Sequence, residues 1–237
     1  QIETVKEVNN GVHFVPGNHD WDESGQDGLN AVLRQQKILN EKLGESSFLP
    51  KNGCFGPEFV IINDTTEAMI LDSEKIINFS LFGQSGDCKI KSLDELSSSI
   101  KEELRIRSNK RIIYLSHHPV ASSGFHFRKD QNTPQDFYST NYQSYIKFLQ
   151  DTFKENPPLI CIGGHDHHLE FLKGDGICKN YLVSGSGSNI RDVFVSEKAI
   201  FQTARSGFIK LIFKRDNSIS VEFLTDKTKN TNNIVYS

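Results

Sequence analysis

Three stretches gather the side chains best suited to holding a divalent metal. Pro16-Gly17-Asn18-His19-Asp20 follows Gly11–Val15, Ser116-His117-His118-Pro119 follows Arg111–Leu115, and Gly163-Gly164-His165-Asp166-His167-His168 follows Leu159–Ile162. They hold most of the chain's eight histidines, with Asn and Asp beside them. Imidazole nitrogen combined with carboxamide or carboxylate oxygen suits borderline to hard ions such as Zn, Mn and Fe(II). His165 and His167 stand two residues apart. On an extended strand they would face one side, whereas in a tight loop they can reach two neighbouring ions. Taken singly, each stretch has a plainer explanation: a lone histidine after a strand is usually a surface or hydrogen-bonded residue, and Asn with Gly suits a simple turn. Their recurrence in this order, each after an apolar run, favours a metal centre.

Those apolar runs are what must position the loops. In α/β sheets the groups just beyond the carboxyl ends of strands form the ligand crevice, so three strands ending alike bring their histidines to one rim. Strands are predicted at Val12–Val15, Phe59–Ile62, Ala68–Leu71, Arg111–Leu115, Leu159–Ile162, Tyr181–Val183, Phe208–Phe213 and Ser218–Phe223. Several are continuous apolar runs, as strands buried on both faces are. Helices are predicted at Leu29–Leu43, stopping before Gly44, at Leu93–Arg107 and at Asn141–Lys154. Ser92-Leu93-Asp94-Glu95 is a capping box, in which Ser and Glu satisfy each other's free backbone donors. The alternation is that of an α/β fold. Gly53–Pro57 and Gly83–Asp87 read as turns, and Ser122–Thr140 as a long polar loop of the kind that usually carries function or moves. No linker divides the chain, so residues 1–237 are read as one domain.

Composition narrows the function classes. The chain has 237 residues, net charge -3, 36% hydrophobic and 24% charged residues, which is globular rather than disordered. No basic stripe or Lys/Arg block marks a nucleic-acid partner, and none is expected. No apolar run approaches the roughly 18 residues of a membrane span. The chain opens on Gln1, not Met, and reads as a mature form or a fragment of a longer protein. None of Cys54, Cys88, Cys161 and Cys178 forms a C-x-x-C pair, which argues against a thiolate zinc site. Cys161, inside an apolar run, is expected to be a buried core thiol. Cys54 and Cys88 lie in Gly-rich loops and are able to pair in an oxidising compartment.

Gly17-Asn18-His19-Asp20, His117 two residues before Pro119, and Gly164-His165-Asp166-His167 resemble the successive motifs of the calcineurin-like metallophosphoesterases. The purple, tartrate-resistant acid phosphatase branch is the nearest in flavour: the last motif also reads G-H-D-H there, followed by a short strand and a Ser-Gly-x-Gly turn, here Ser184–Gly187. The terminal strand pair Gly207–Phe213 and Ser218–Leu224 resembles that branch as well, and Phe48–Cys54 through Glu58 resembles bacterial exported members. The resemblance implies a four-layer α/β/β/α sandwich of two mixed sheets, with two metal ions (Fe, Mn or Zn) at the carboxyl ends of strands. It implies that Asn18, His117 and His165 bind one ion and His167 the other. His19, oriented by Asp20, would stabilise the transition state or protonate the leaving alcohol. The substrate would be a small phosphorylated molecule, a monoester rather than a diester, and the location extracytoplasmic.

The family opens with D-x-H and a G-D motif ahead of G-N-H-D, and neither occurs before Gly17, so the chain is expected to be amino-terminally truncated. Without those carboxylates one ion has three protein ligands and the other only His167. Two function classes therefore stand side by side: a phosphoric ester hydrolase in full-length form, and a metal-binding or interaction module without catalysis. A mononuclear zinc hydrolase using Asn18, His117 and His165 is disfavoured, because catalytic zinc usually takes His, Glu or Cys. His118 falls on no ligand position and is read as supporting a ligand, touching substrate, or purely structural. His126, Arg128 and Lys129 in the long loop are candidates for an anionic substrate, with a solvated loop face the commoner explanation. Trp21 is read as packing rather than cleft lining, and His13 as structural.

Overall fold

The first helix, α1 (Gly28–Leu43), meets the Gly17–Asp20 loop through Gln35 Nε2, which donates to Asp20 O at 3.3 Å, and packs Val32 in one cluster with Trp21 just beyond it. The structure is a computed structural model that describes residues 11–83, 86–130, 133, 135–174, 176–187, 189–226 and, for backbone alone, 229–234. Parts of the predicted Gly83–Asp87 turn and of the Ser122–Thr140 loop, and all of Gln1–Asn10, lie outside the described residues.

Seven strands make the large sheet: β1 (Glu58–Asn63), β2 (Thr66–Ile70), β3 (Arg111–Leu115), β4 (Ile160–Gly163), β5 (Leu169–Lys173), β6 (Asn180–Ser184) and β7 (Ala199–Thr203). Their order is β1-β2-β3-β4-β6-β5-β7. β2, β3, β4 and β6 are parallel, while β1, β5 and β7 pair antiparallel at the flanks. Alternation along each strand sorts the side chains. Ile112, Tyr114, Cys161 and Tyr181 face α4 (Leu93–Ile106) and α5 (Thr140–Phe153), where Leu96, Ile100, Leu104, Tyr142, Leu149 and Phe153 close the core. Ile113, Ile160, Leu182 and Phe171 face the other way and meet Ile219, Val221 and Phe223. Those three belong to β9 (Ile219–Thr225), the middle strand of a smaller sheet with β8 (Gly207–Phe213) and β10 (Lys229–Ile234). The chain is thus α/β, with two sheets face to face and helices over the outer face of the larger.

Several sequence expectations are corrected. The smaller sheet is purely antiparallel among the described residues, not mixed. A helical layer on its outer face is not among the described residues. Val12–Val15 is not a strand of either sheet. It makes one bridge, Phe14 to Phe48, with Phe14 N donating to Ser47 O at 2.7 Å and Leu49 N to Phe14 O at 2.9 Å. β5, β7, β10 and two short helices, α2 (Ser73–Ile77) and α3 (Phe79–Phe82), were not expected. Cys161 is no free thiol: it pairs with Cys178, just as Cys54 pairs with Cys88. The two half-cystines sit on β4 and just before β6, neighbours in the sheet, which brings their Cα atoms to 5.9 Å.

The predicted caps form. Ser92 Oγ accepts from Glu95 N at 3.2 Å, though the Glu95 carboxylate returns to Lys91 N at 2.7 Å rather than to Ser92. Gly44 closes α1 with φ 104°, a conformation that glycine adopts without strain. Trp21 is packed out of solvent, its ring 4.6 Å from that of Phe82 and its Nε1 donating to Asp72 Oδ2 at 2.8 Å.

The contact between the sheets rests on few large side chains. Phe223 is fully buried and its ring lies 4.2 Å from that of Phe201 on β7. Phe223→Ala is expected to lower the unfolding free energy by about 3–5 kcal/mol through lost burial and an unfilled cavity, measured by urea denaturation. A change under about 1 kcal/mol would mean that the sheets can collapse onto the gap.

Candidate metal centre

Because β2, β3, β4 and β6 run parallel, their carboxyl ends share one edge, and the loops leaving them carry the polar residues. β3 leads into Ser116-His117-His118. β4 leads into Gly164-His165-Asp166-His167, whose Gly164 N donates to His117 O at 2.8 Å and ties the two loops together. β2 leads into Asp72-Ser73-Glu74-Lys75, all fully buried. A groove of about 270 Å³ opens at the opposite end of these strands, lined by Arg107, Arg111, Leu159 and Lys179 among others, and holds no histidine.

Asn18, His117 and His165 meet on this edge. Asn18 Oδ1 is 2.9 Å from His117 Nε2, which is 3.2 Å from His165 Nδ1. His165 Nε2 faces Gln135 O at 2.9 Å, so Nε2 carries the hydrogen and Nδ1 presents its lone pair to the trio. Two ligands about 2.1 Å from one ion and at right angles about it stand about 3 Å apart, which is the spacing of His117 Nε2 from Asn18 Oδ1 and from His165 Nδ1. Burial, followed by the neighbouring histidines, holds the His117 imidazole down to about 3 and those of His118 and His165 well below the usual histidine range. Metal ligation requires the neutral imidazole, so the pocket keeps these rings in the ligating form. His167 turns elsewhere. Its Nδ1 is buried without a hydrogen-bond partner, a lone donor atom that fits a second ion. The residues present therefore fit a metal at the trio and offer one ligand for a neighbour.

The backbone is shaped for this. A Cβ on Gly17 would lie 2.5 Å from the His117 ring, so only glycine lets the Asn18 loop approach it. His165 itself adopts φ 39°, a left-handed conformation uncommon outside glycine. Asp166 is fully buried and points away from the rim. Its Oδ1 accepts from His126 N at 2.9 Å and its Oδ2 from Ser122 Oγ at 2.6 Å, which anchors the long loop to the metal loop.

The remaining sequence candidates fall at different distances from the trio. His19 is 76% exposed, and its Nδ1 lies 2.9 Å from Glu23 Oε1. Asp20 does not orient it: Asp20 Oδ2 accepts from Gly17 N at 2.8 Å and closes the turn. The His118 ring centroid stands 4.4 Å from that of His165. His126 enters the site, its ring centroid 4.2 Å from that of His165, its Nδ1 on Asp136 at 2.7 Å and its Nε2 receiving Arg191 Nη1 at 2.8 Å. Arg128 is bound to Asp130 and lies over Phe194, and Lys129 is exposed. His13 pins Ser46 O at 2.6 Å. Sequence reasoning missed Arg191, Gln135 and Glu74. Glu74 had a signal, since Asp72–Lys75 follows an apolar strand just as the histidine loops do. Gln135 had only its place in the long Ser122–Thr140 loop, and Arg191 had none.

Residues 1–169 match the calcineurin-like phosphoesterase family. The chain belongs to that family. Among solved structures it is similar to GAP50, described as the anchor in the inner membrane complex of Plasmodium, with TM-score 0.60 and 18% identity over 95% of this chain and 68% of that one. It is also similar to the purple acid phosphatase PPD1 from yellow lupin (Lupinus luteus) seeds, with TM-score 0.50 and 14% identity over 85% of this chain and 44% of that one. At these identities the two structures share the fold with this chain. No curated protein matches it.

The depressed imidazoles make the metal-free chain acid-sensitive. An unfolded His117 takes up a proton near 6.5 and the folded one only near 3, so stability is complete above 6.5 and drains away as pH falls between those values. With a chelator present, the unfolding free energy of the wild-type chain is expected to fall more steeply from pH 6 to pH 4 than that of His117→Asn, by about 1.4 kcal/mol per pH unit. Parallel pH profiles in denaturant titrations would contradict the buried neutral imidazole.

Proposed function

We propose that this family member hydrolyses phosphoric esters at a binuclear metal centre on this edge, and phosphomonoesters in preference to diesters. The convergence of Asn18 Oδ1, His117 Nε2 and His165 Nδ1 carries the reading. These three would hold one ion, and His167, through its unpartnered Nδ1, would contribute to the other. Bound there, Zn, Mn or Fe ions supply positive charge against the phosphoryl oxygens. Around them the chain's own residues bind and orient. His19 projects from the rim with Nδ1 on Glu23, which leaves Nε2 to pass a proton to the departing alcohol. Asp20 acts by fixing the turn that carries His19. Arg191 donates one N–H to His126, which stacks beside His165, and its remaining guanidinium N–H groups suit the charge of a monoester dianion. His118 supports the trio from beneath, and Arg128, engaged with Asp130, would contribute little. Residues 1–237 act as one metallophosphoesterase unit in this reading. The two disulfides and the acid-phosphatase likeness support an extracytoplasmic location.

The second reading is a module of the same fold that binds metal or a partner without catalysis. It draws on two observations: the likeness to a protein described as an anchor, and a cluster of facing metal donors, His117, His118 and His165, that includes no carboxylate.

Loaded with Mn2+, the chain is expected to cleave para-nitrophenyl phosphate faster than bis(para-nitrophenyl) phosphate, and His165→Ala to reduce the monoester rate at least about a hundredfold, as loss of metal-borne charge stabilisation does. Arg191→Ala would raise KM more than it lowers kcat. Ion binding with no turnover of either ester, unaffected by His19→Ala, would favour the non-catalytic module.

A further inference from the structure

Beneath the histidine trio lies a buried carboxylate with an unused oxygen. Glu74, in α2 just past the end of β2, is fully buried. Its Oε1 accepts from Ser24 Oγ at 2.7 Å and from Asn78 Nδ2 at 2.8 Å, which fixes the carboxylate plane. Its Oε2 has no hydrogen-bond partner. The Gln135 side chain lies close enough to favour the charged form of Glu74, while Oε2 itself is left unpartnered. An orphaned carboxylate oxygen in a protein interior is costly and calls for an occupant.

The group it faces is His118 Nε2, 3.6 Å away and too far for a hydrogen bond. His118 is fully buried as well, and Gln135 Oε1 stands 3.3 Å from the same Nε2. On its other side the ring meets Ser73, whose Oγ lies 3.0 Å from Nδ1 and also accepts from His118 N at 3.0 Å. With the hydrogen on Nδ1, donated to Ser73, the Nε2 lone pair points at Glu74 and Gln135. Two ligands of a tetrahedral ion with bonds of about 2.0–2.2 Å stand about 3.3–3.6 Å apart, which matches the spacing of His118 Nε2 from Glu74 Oε2 and from Gln135 Oε1.

We propose that Glu74 Oε2, His118 Nε2 and Gln135 Oε1 form a further site for a borderline divalent cation, Zn2+ or Mn2+, beside the Asn18–His117–His165 trio. One nitrogen and two oxygens, a single one of them charged, suit such an ion. Its ligand atoms are separate from those of the trio, although Gln135 also holds His165 Nε2 through its backbone oxygen. Burial also raises the proton affinity of Glu74, which makes a proton the competing occupant.

Crystals of the full chain saturated with Zn2+, measured at the zinc absorption edge, test this without any substitution. The expected result is an anomalous peak between Glu74 Oε2 and His118 Nε2, distinct from any peak among Asn18, His117 and His165. No peak there at saturating zinc would overturn the site and leave a protonated Glu74 in its place. Elemental analysis after dialysis adds the independent check: Glu74→Gln and His118→Gln, each with wild-type far-UV circular dichroism, should each hold one ion fewer per chain. Retention of the wild-type number by a folded Glu74→Gln would equally overturn it. A peak at Glu74–His118 with an empty trio would keep this site and sink the hydrolase reading.

Discussion

Everything at the candidate site depends on the parallel pairing of β2, β3, β4 and β6. Parallel strands end together, so the chain leaves the sheet four times along one edge, and each exit begins with residues whose backbone direction the sheet has already set. An antiparallel arrangement would have sent alternate loops to opposite ends and divided the histidines. The apolar character of these strands is therefore as much a requirement of the site as the histidines are. Ile113, Ile160 and Leu182 pack toward β9 while Tyr114 and Cys161 pack toward the helices, and this two-sided burial holds the edge still.

The second constraint is that polar groups are sunk deep behind the rim, most of them held by hydrogen bonds but with His168 Nδ1 and Glu170 Oε1 left without one. On one flank Asp72 is bound by Trp21 and by Lys75 N, and burial lifts its carboxyl to about 7 while pulling the Lys75 ammonium down to about 8. On the other flank Asp166, His168 and Glu170 are fully buried, with Ser123 N donating to Glu170 and Ser122 to Asp166. Beneath His118, the hydroxyls of Tyr114 and Tyr145 lie 2.7 Å apart, and Tyr142 donates to Pro119 O at 2.7 Å. Networks of this kind rigidify when complete; Glu74 Oε2 differs from the other unpartnered atoms in facing an imidazole nitrogen 3.6 Å away.

Much of this was legible from residue types alone. The parallel strands announce themselves as continuous apolar runs, the helices by caps and a glycine stop, and two members of the trio, His117 and His165, by their place just after strands. What stayed hidden has physical reasons. β5 carries a buried glutamate, Glu170, and follows a run of histidines, so its alternation is masked. β7 is only partly buried and carries no strong pattern. Val12–Val15 has strand-like composition, but among the described residues it makes a single β-bridge, to Phe48. The Cys161–Cys178 pair could not be inferred, because it depends on β4 and β6 being neighbours with β5 set beyond them. Arg191 reaches His126 across 65 residues, a closeness that spacing does not encode.

The trio has one more property. Asn18 and His117 are 99 residues apart in the chain, and His117 and His165 are 48 apart. No local segment can preform the contact, so its closure entropy must be met by the sheet before the three side chains meet. The cluster accordingly requires the assembled sheet, and no peptide cut from any one loop would reproduce it. Any ligand that prefers the assembled trio therefore draws the whole topology toward the native state, and reports, by its binding, that the chain has finished folding.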